Sequence, residues 1–199
     1  MGEAYLRFNE SSMSLITPEF FHNDPVDCAR GLIGCRFQWG ECAGRIVETE
    51  AYHAVGDEAC HTWLRPSSRQ FIEEHHAGDA YVYLNYGVHW LFNILIKGPQ
   101  GNGFVLIRAL EPVEGHDLMR ERRGTFPDKL LLAGPGRLTQ AMGIGGGDHG
   151  SRFLVNGAGS LAKGKAGSMV SGPRIGISRA TELNWRFGDA ASNCLSKRF

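Results

Sequence analysis

Residues 81–96, YVYLNYGVHWLFNILI, constrain the fold more than any other stretch of this chain. Aromatic and β-branched side chains crowd the run, a composition that suits a pleated, half-buried strand. Asn85-Tyr86-Gly87 interrupts it with turn chemistry, so it reads as two strands and a tight connection. FVLIRAL at 104–110 is a further strand, and the Asn102-Gly103 step before it favours a hairpin. Residues 35–52 supply more strand, broken at Gly40 and Gly44. Residues 152–156 and 174–178 are short strand candidates.

Helical signals are short and scattered. Thr17-Pro18 and Asp24-Pro25 each place a capping residue before a proline, and the second opens a helix to about Leu32. Residues 112–123 and Pro135 to about Met142 are two more. The order is not a βαβ alternation. The expected fold class is therefore α+β: one compact domain over residues 1–199, with a curved, mostly antiparallel sheet and helices packed around it. A length of 199 residues suits a single domain with a real core, and 27 glycines suit many turns.

Composition narrows the setting. No apolar run approaches the ~20 residues that span a bilayer. MGEAYLRFNESSMSL has no basic region followed by an apolar core, so no signal peptide is expected. The five cysteines contain no CxxC and read as reduced, mostly buried thiols, with metal ligation as the alternative. Net charge is zero but uneven: residues 1–64 hold 4 Lys/Arg against 10 Asp/Glu, and residues 138–199 hold 8 against 3. A bipolar molecule can still offer one basic face to a polyanion.

The chemistry concentrates in GRIVETEAY at 44–52, followed by His61 in DEACH. Strand alternation puts Ile46, Glu48, Glu50 and Tyr52 on one face, and Arg45, Val47, Thr49 and Ala51 on the other. Two carboxylates and a ring are poor core material, which leaves a pocket wall or a solvated sheet face. GIGGGDHG at 143–150 contains a formal GxGxxG, but it follows a helix and precedes a strand, the wrong order for a dinucleotide site. It reads as a mobile loop, and 157–168 as a flexible connector.

Five blocks together resemble the alkyladenine (3-methyladenine) DNA glycosylase family: GRIVETEAY, DEACH, AYVYLNYG at 80–87, VLIRALEPVEG at 105–115 and GPGRLTQAMGI at 134–144. RIGIS at 174–178 and WRF at 185–187 add a weaker match. The resemblance implies a monofunctional glycosylase that removes damaged purines from DNA, without metal or cofactor, acting as a monomer on duplex. It also implies a cytoplasmic enzyme at the bacterial nucleoid, or a nuclear one in a eukaryote, and not a secreted protein.

Roles follow from the same resemblance. Glu50 is the expected general base, with Arg108 positioning water and sugar-phosphate beside it. Tyr52, Tyr83 and His61 match the walls that stack on the flipped base, and Asn93 matches the residue that rejects the exocyclic amine of guanine. Tyr86 matches the residue that fills the gap left in the duplex. Arg69 is placed in the DNA-binding region. Structural alternatives stand beside each: Arg108 in an ion pair, Asn93 as a core amide, Tyr86 packed under its own hairpin. Glu48 could act as the acid of an inverting pair in a carbohydrate hydrolase. The GPGR turn could bind phosphate or simply cap a helix, and Arg120, Arg122 and Arg123 read as a solvated helix face. After Arg69 the family pattern is lost, because Gln70 and Glu73-Glu74-His75-His76 stand where other residues are usual. That loop is expected near DNA. A shifted substrate or a non-catalytic binding module on the same fold are the rival readings.

Overall fold

The computed structural model describes residues 14–199. The N-terminal stretch read above for a targeting signal falls almost wholly outside them. The sheet has eight strands: β1 (Arg36–Trp39), β2 (Cys42–His53), β3 (Ala80–Asn85), β4 (His89–Gly98), β5 (Gly101–Glu114), β6 (Gly159–Ala162), β7 (Met169–Gly172) and β8 (Arg186–Asp189). All pairings are antiparallel, in the order β3-β4-β5-β2-β1-β6. The sheet branches at β2, whose first residues pair with β1 while Glu48, Thr49 and Glu50 pair with β8. The helices are α1 (Pro25–Gly31), α2 (His61–Leu64), α3 (Pro66–Glu74), α4 (His116–Arg123), α5 (Asp128–Leu131), α6 (Pro135–Met142) and α7 (Phe153–Asn156). This is an α+β domain with an open sheet, as the strand-rich order implied. Asp24 caps α1 by accepting from the Val26 amide at 2.8 Å.

One irregularity in the sheet decides where the chemistry lies. Along β2 and β5, Ile46 pairs with Leu110, Glu48 with Ala109 and Thr49 with Ile107. Val47 and Arg108 are therefore each an extra residue, two bulges set almost opposite one another. A bulge re-aims the side chains around it. Ile46 and Ala51 enter the main core, and Thr49 donates to the Ala29 carbonyl at 2.8 Å. Val47 packs instead with Ala109 and Cys194. The simple alternation is thus corrected: Ile46 does not share a face with Glu48, and Val47 leaves the side of Thr49 and Ala51.

Other boundaries differ from expectation for local reasons. Gly44 does not break β2, which runs on through it. Residues 112–114 extend β5 rather than open α4. The β4–β5 turn lies at Pro99-Gln100, between the paired Gly98 and Gly101, so Asn102-Gly103 sits inside β5. Gly103 is required there by close approach, since a Cβ would lie 2.1 Å from the Tyr52 carbonyl. The strand expected at 152–156 is instead α7, with Arg152 at its N-cap, and residues 174–178 form no strand. The supposed connector 157–168 contains β6, which pairs with β1. Gln70 to Glu74 is not loop but the second half of α3, with Gln70 bonded to Glu74 at 2.7 Å. The stretch 143–150 leads from α6 to α7, not to a strand, and holds a 3-10 turn at Gly146–Asp148.

The main core packs Phe21, Phe37, Phe92 and Phe153 with the aliphatic face of the sheet. A second cluster of Phe71, Tyr81, Leu95 and Phe104 sits on the other side, beneath Tyr52 and Tyr83. All five cysteines are buried and free.

Candidate active site

A cleft of about 980 Å³ opens over that second cluster. It is at the upper end of the ~300–1,000 Å³ usual for ligand clefts. Side chains of β3, β4 and β5 line it, with Tyr52 of β2. Glu50 is fully buried just behind the lining, and three donors converge on it. Its Oε2 accepts from the Tyr52 hydroxyl at 2.7 Å and from Arg108 Nη1 at 3.1 Å, and its Oε1 from the Ile175 amide at 2.7 Å. Charge-assisted bonds of this kind offset the cost of removing a carboxylate from water. Tyr52, Arg108 and Ile175 all line the cleft.

Arg108 bridges the two carboxylates of β2, with Nε 3.3 Å from Glu48 Oε1. Burial alone would lower its pKa, but Glu50 and Glu48 outweigh this and raise it. Glu48 is also fully buried, and it does not line the cleft. Burial, together with Glu50, pushes the Tyr52 phenol well above its ordinary pKa, so its proton stays in place.

A second buried ion pair holds the cleft's outer wall. Asp57, the first residue of DEACH, accepts from Arg174 Nη1 at 2.6 Å and Nη2 at 2.8 Å, with both side chains fully buried. Arg174 also lies 4.6 Å over the Tyr52 ring and 5.2 Å over the Trp185 ring. The next residue is Ile175, whose amide reaches Glu50. This clamp therefore seats the 175–179 loop against the carboxylate.

The facing wall is aromatic. The His61 and Tyr83 rings meet edge to face at 4.2 Å, and His61 Nδ1 lies 3.2 Å from the Tyr81 hydroxyl. Burial, with the nearby Arg65 charge, drops the His61 pKa to about 4, so the ring is neutral near pH 7. Burial also raises the Tyr83 phenol. Asn93 is buried opposite Tyr81 in the β3–β4 ladder, and its Nδ2 donates to the Tyr81 carbonyl at 3.1 Å. Asn93 lines the cleft as well, so it is both a satisfied core amide and a wall residue.

Tyr86 stands at the cleft mouth with 89% of its surface exposed and φ +50°. A bulky residue in the left-handed region is uncommon and costs free energy. It is not packed beneath its hairpin. Arg69 lies apart: it is exposed, outside the cleft lining, and donates to the Thr62 carbonyl, tying α3 to α2. None of residues 70–76 lines the cleft. The GPGR turn does, at the start of α6, along with Arg123 and Gln140. The supposed arginine face of α4 is largely engaged: Arg120 with Asp117 and Asp128, Arg122 with the Ala141 carbonyl, Arg123 with the Leu130 and Leu131 carbonyls.

Sequence reasoning missed Tyr81, Asp57, Arg174 and Ile175. Tyr81 had a signal, because it lies two residues before Tyr83 on the same strand face. The other three gain meaning only when residues 57 and 174 meet. Among the described residues, no three His, Cys, Asp or Glu side chains cluster as a metal site. No helix among them is long and apolar enough to cross a membrane.

The family described as methylpurine-DNA glycosylase (MPG) matches residues 19–193. That is most of the chain. The chain belongs to the methylpurine-DNA glycosylase family. Its relatives agree. A protein of Agrobacterium fabrum named "Putative 3-methyladenine DNA glycosylase" is 42% identical over 196 residues, covering 96% of this chain and 97% of the relative. One of the same name from Chlorobaculum tepidum is 40% identical over 195 residues, covering 93% and 92%. One from Nitrosospira multiformis is 41% identical over 189 residues, covering 94% and 97%. As a methylpurine-DNA glycosylase the protein is a hydrolase of N-glycosyl compounds, and its substrate is DNA under repair.

Proposed function

We propose that this glycosylase flips an alkylated or deaminated purine, such as 3-methyladenine, out of duplex DNA and hydrolyses its N-glycosidic bond with a water activated by Glu50. The observation that carries this reading is the burial of Glu50 behind Tyr52, Arg108 and Ile175, with all three donating to it. A base inside a duplex is out of reach of such a group, so the nucleotide must leave the stack.

The flipped purine lies between Tyr52, backed by Arg174, and the wall of His61 and Tyr83. Alkylated purines are often cationic, and aromatic faces attract cations. A neutral His61 adds no repulsion to such a base. Glu50 takes a proton from water as the water attacks the anomeric carbon. Its negative charge also stabilises the positive charge that develops on the sugar. A cationic base departs neutral and needs no acid. Arg108 keeps Glu50 in place and faces the cleft, where it orients the water and the sugar-phosphate. Asn93 excludes a 2-amino group from the wall it shares with Tyr81. Tyr86 enters the gap in the duplex. The protein acts as a monomer wherever its damaged DNA lies.

An inverting pair of Glu48 and Glu50 acting on sugars is disfavoured, since Glu48 is held by Arg186 and Ser196, which lie outside the cleft lining, whereas all three donors to Glu50 line the cleft. The deciding experiment incubates the protein with oligonucleotides that each carry one lesion, then cleaves abasic sites with alkali. Strand cleavage only at alkylated or deaminated purines is expected. No cleavage of any lesion, with intact binding to abasic DNA, would replace the enzyme by a binding module.

A further inference from the structure

We infer that the C-terminal tail completes the active site, with Ser196 a positioning residue that holds Arg108 through Glu48. Ser196 lies beyond the segment matched by the family, which ends at residue 193. The inference rests on the assignment of Glu50 and Arg108 made above.

Glu48 is a buried carboxylate with four donors. They are Arg108 Nε at 3.3 Å, Arg186 Nε at 2.7 Å, the Ser196 amide at 2.6 Å and the Ser196 hydroxyl at 2.8 Å. Two of the four come from one tail residue. The Ser196 hydroxyl oxygen also lies 3.5 Å from Arg108 Nη2. The guanidinium thus has Nε on Glu48, Nη1 on Glu50 and Nη2 toward Ser196, so all three of its nitrogens are assigned. The tail is itself anchored. Arg186 donates to the Lys197 carbonyl and lies 3.9 Å over the Phe199 ring. Phe199 packs where Gly188 has no side chain, since a Cβ there would lie 2.3 Å from the ring. Cys194 is buried with Val47 and Ala109, beside both bulges.

The consequence is competition for one cation. When Ser196 donates fully to Glu48, Arg108 is free to keep Nη1 on Glu50. When that donation weakens, an under-compensated buried carboxylate draws Arg108 toward itself and away from Glu50. Glu48 and the tail therefore set the aim of Arg108 without touching substrate.

The test uses Ser196→Ala and Ser196→Thr in the full-length protein. Single-turnover base release is measured on a duplex with one alkylated purine, together with its Kd, the Tm and the side-chain Nε–H NMR signal of Arg108. For Ser196→Ala the release rate falls about tenfold, equal to about 1.4 kcal/mol, while Kd stays near wild type and Tm falls modestly, as for one lost buried hydrogen bond. The Arg108 signal shifts. Ser196→Thr keeps the hydroxyl and restores both rate and signal. An unmoved Arg108 signal in Ser196→Ala, or a rate loss that tracks Tm and that threonine does not restore, overturns the inference. A wild-type protein that releases no base removes the glycosylase mechanism, and the Arg108 signal still decides what the tail does.

Discussion

The Tyr52 hydroxyl donates to Glu50 across 2.7 Å, two residues along the same strand. This contact makes one side chain serve two purposes. The ring faces the cleft, where the proposed mechanism uses it as a stacking surface, and its hydroxyl steadies the carboxylate behind it. Removing the acceptor should therefore leave the wall standing. Glu50→Gln should lower base release by ~10²–10⁴, the usual worth of a general base, with little change in DNA affinity. Glu48→Gln should do the reverse in emphasis, with a milder rate loss and a larger fall in Tm, because two buried arginines lose a charged partner. Equal rate losses in the two variants would remove Glu50 from its role.

Tyr86 separates stability from the proposed role in DNA binding. Its φ of +50° is strained for tyrosine and natural for glycine. Tyr86→Gly should hold or slightly raise Tm, while affinity for abasic duplex falls by ~1–3 kcal/mol, the scale of base stacking on an aromatic ring. Tyr86→Ala should lose the same affinity without the gain in Tm. Binding measured at fixed salt decides the matter, and unchanged affinity would take Tyr86 out of the interface.

Asn93→Ser should admit purines that carry a 2-amino group by shortening the wall beside the base. The readout is release of normal guanine relative to hypoxanthine. The loss of the bond to the Tyr81 carbonyl should appear separately, as a modest fall in Tm of a kind expected for one buried hydrogen bond, ~1 kcal/mol. A lowered Tm with an unchanged ratio would leave Asn93 a purely structural amide.

His61 should mark the acid side of the stability profile. Its folded pKa is about 4, against ~6.5 unfolded. Between those values the unfolded chain binds a proton that the folded protein does not, so acidification favours unfolding. The stabilising term is complete above pH ~6.5 and is lost as pH falls toward ~4, with a ceiling of about 3 kcal/mol at ~1.4 kcal/mol per unit. Urea titrations across that window should be flatter for His61→Gln than for the wild type. Parallel profiles would mean that the ring is solvated.

The Asp57–Arg174 pair should be the costliest contact to break. Both partners are fully buried, and removing one leaves the other charge without compensation. Asp57→Asn should destabilise by ~3–5 kcal/mol. It should also slow base release, since the Ile175 amide loses its anchor. Circular dichroism melts with single-turnover rates on the folded fraction test both halves, and a near-neutral Tm would contradict the burial of the pair.

Much of this protein was determined by local sequence. The hairpin at Asn85-Tyr86-Gly87 and the helix behind Asp24-Pro25 follow from turn and capping chemistry, which acts over a few residues. The α+β class follows from the order of such signals. The blocks that carry the family resemblance were local too, and they singled out Tyr52, His61, Tyr83 and Asn93, which all line one cleft. Tertiary structure decided the rest. Perfect alternation along GRIVETEAY would give Ile46 and Glu48 one face, but the opposed bulges at Val47 and Arg108 sent Ile46 to the core and Glu48 to the arginines. Whether two buried carboxylates could be tolerated depended on donors far away in the chain: Ile175 for Glu50, Arg186 and Ser196 for Glu48. Periodicity reports which way a side chain points, but a buried charge is stable only where folding brings its partners, and Ile175, Arg186 and Ser196 each lie more than a hundred residues from the carboxylate they serve.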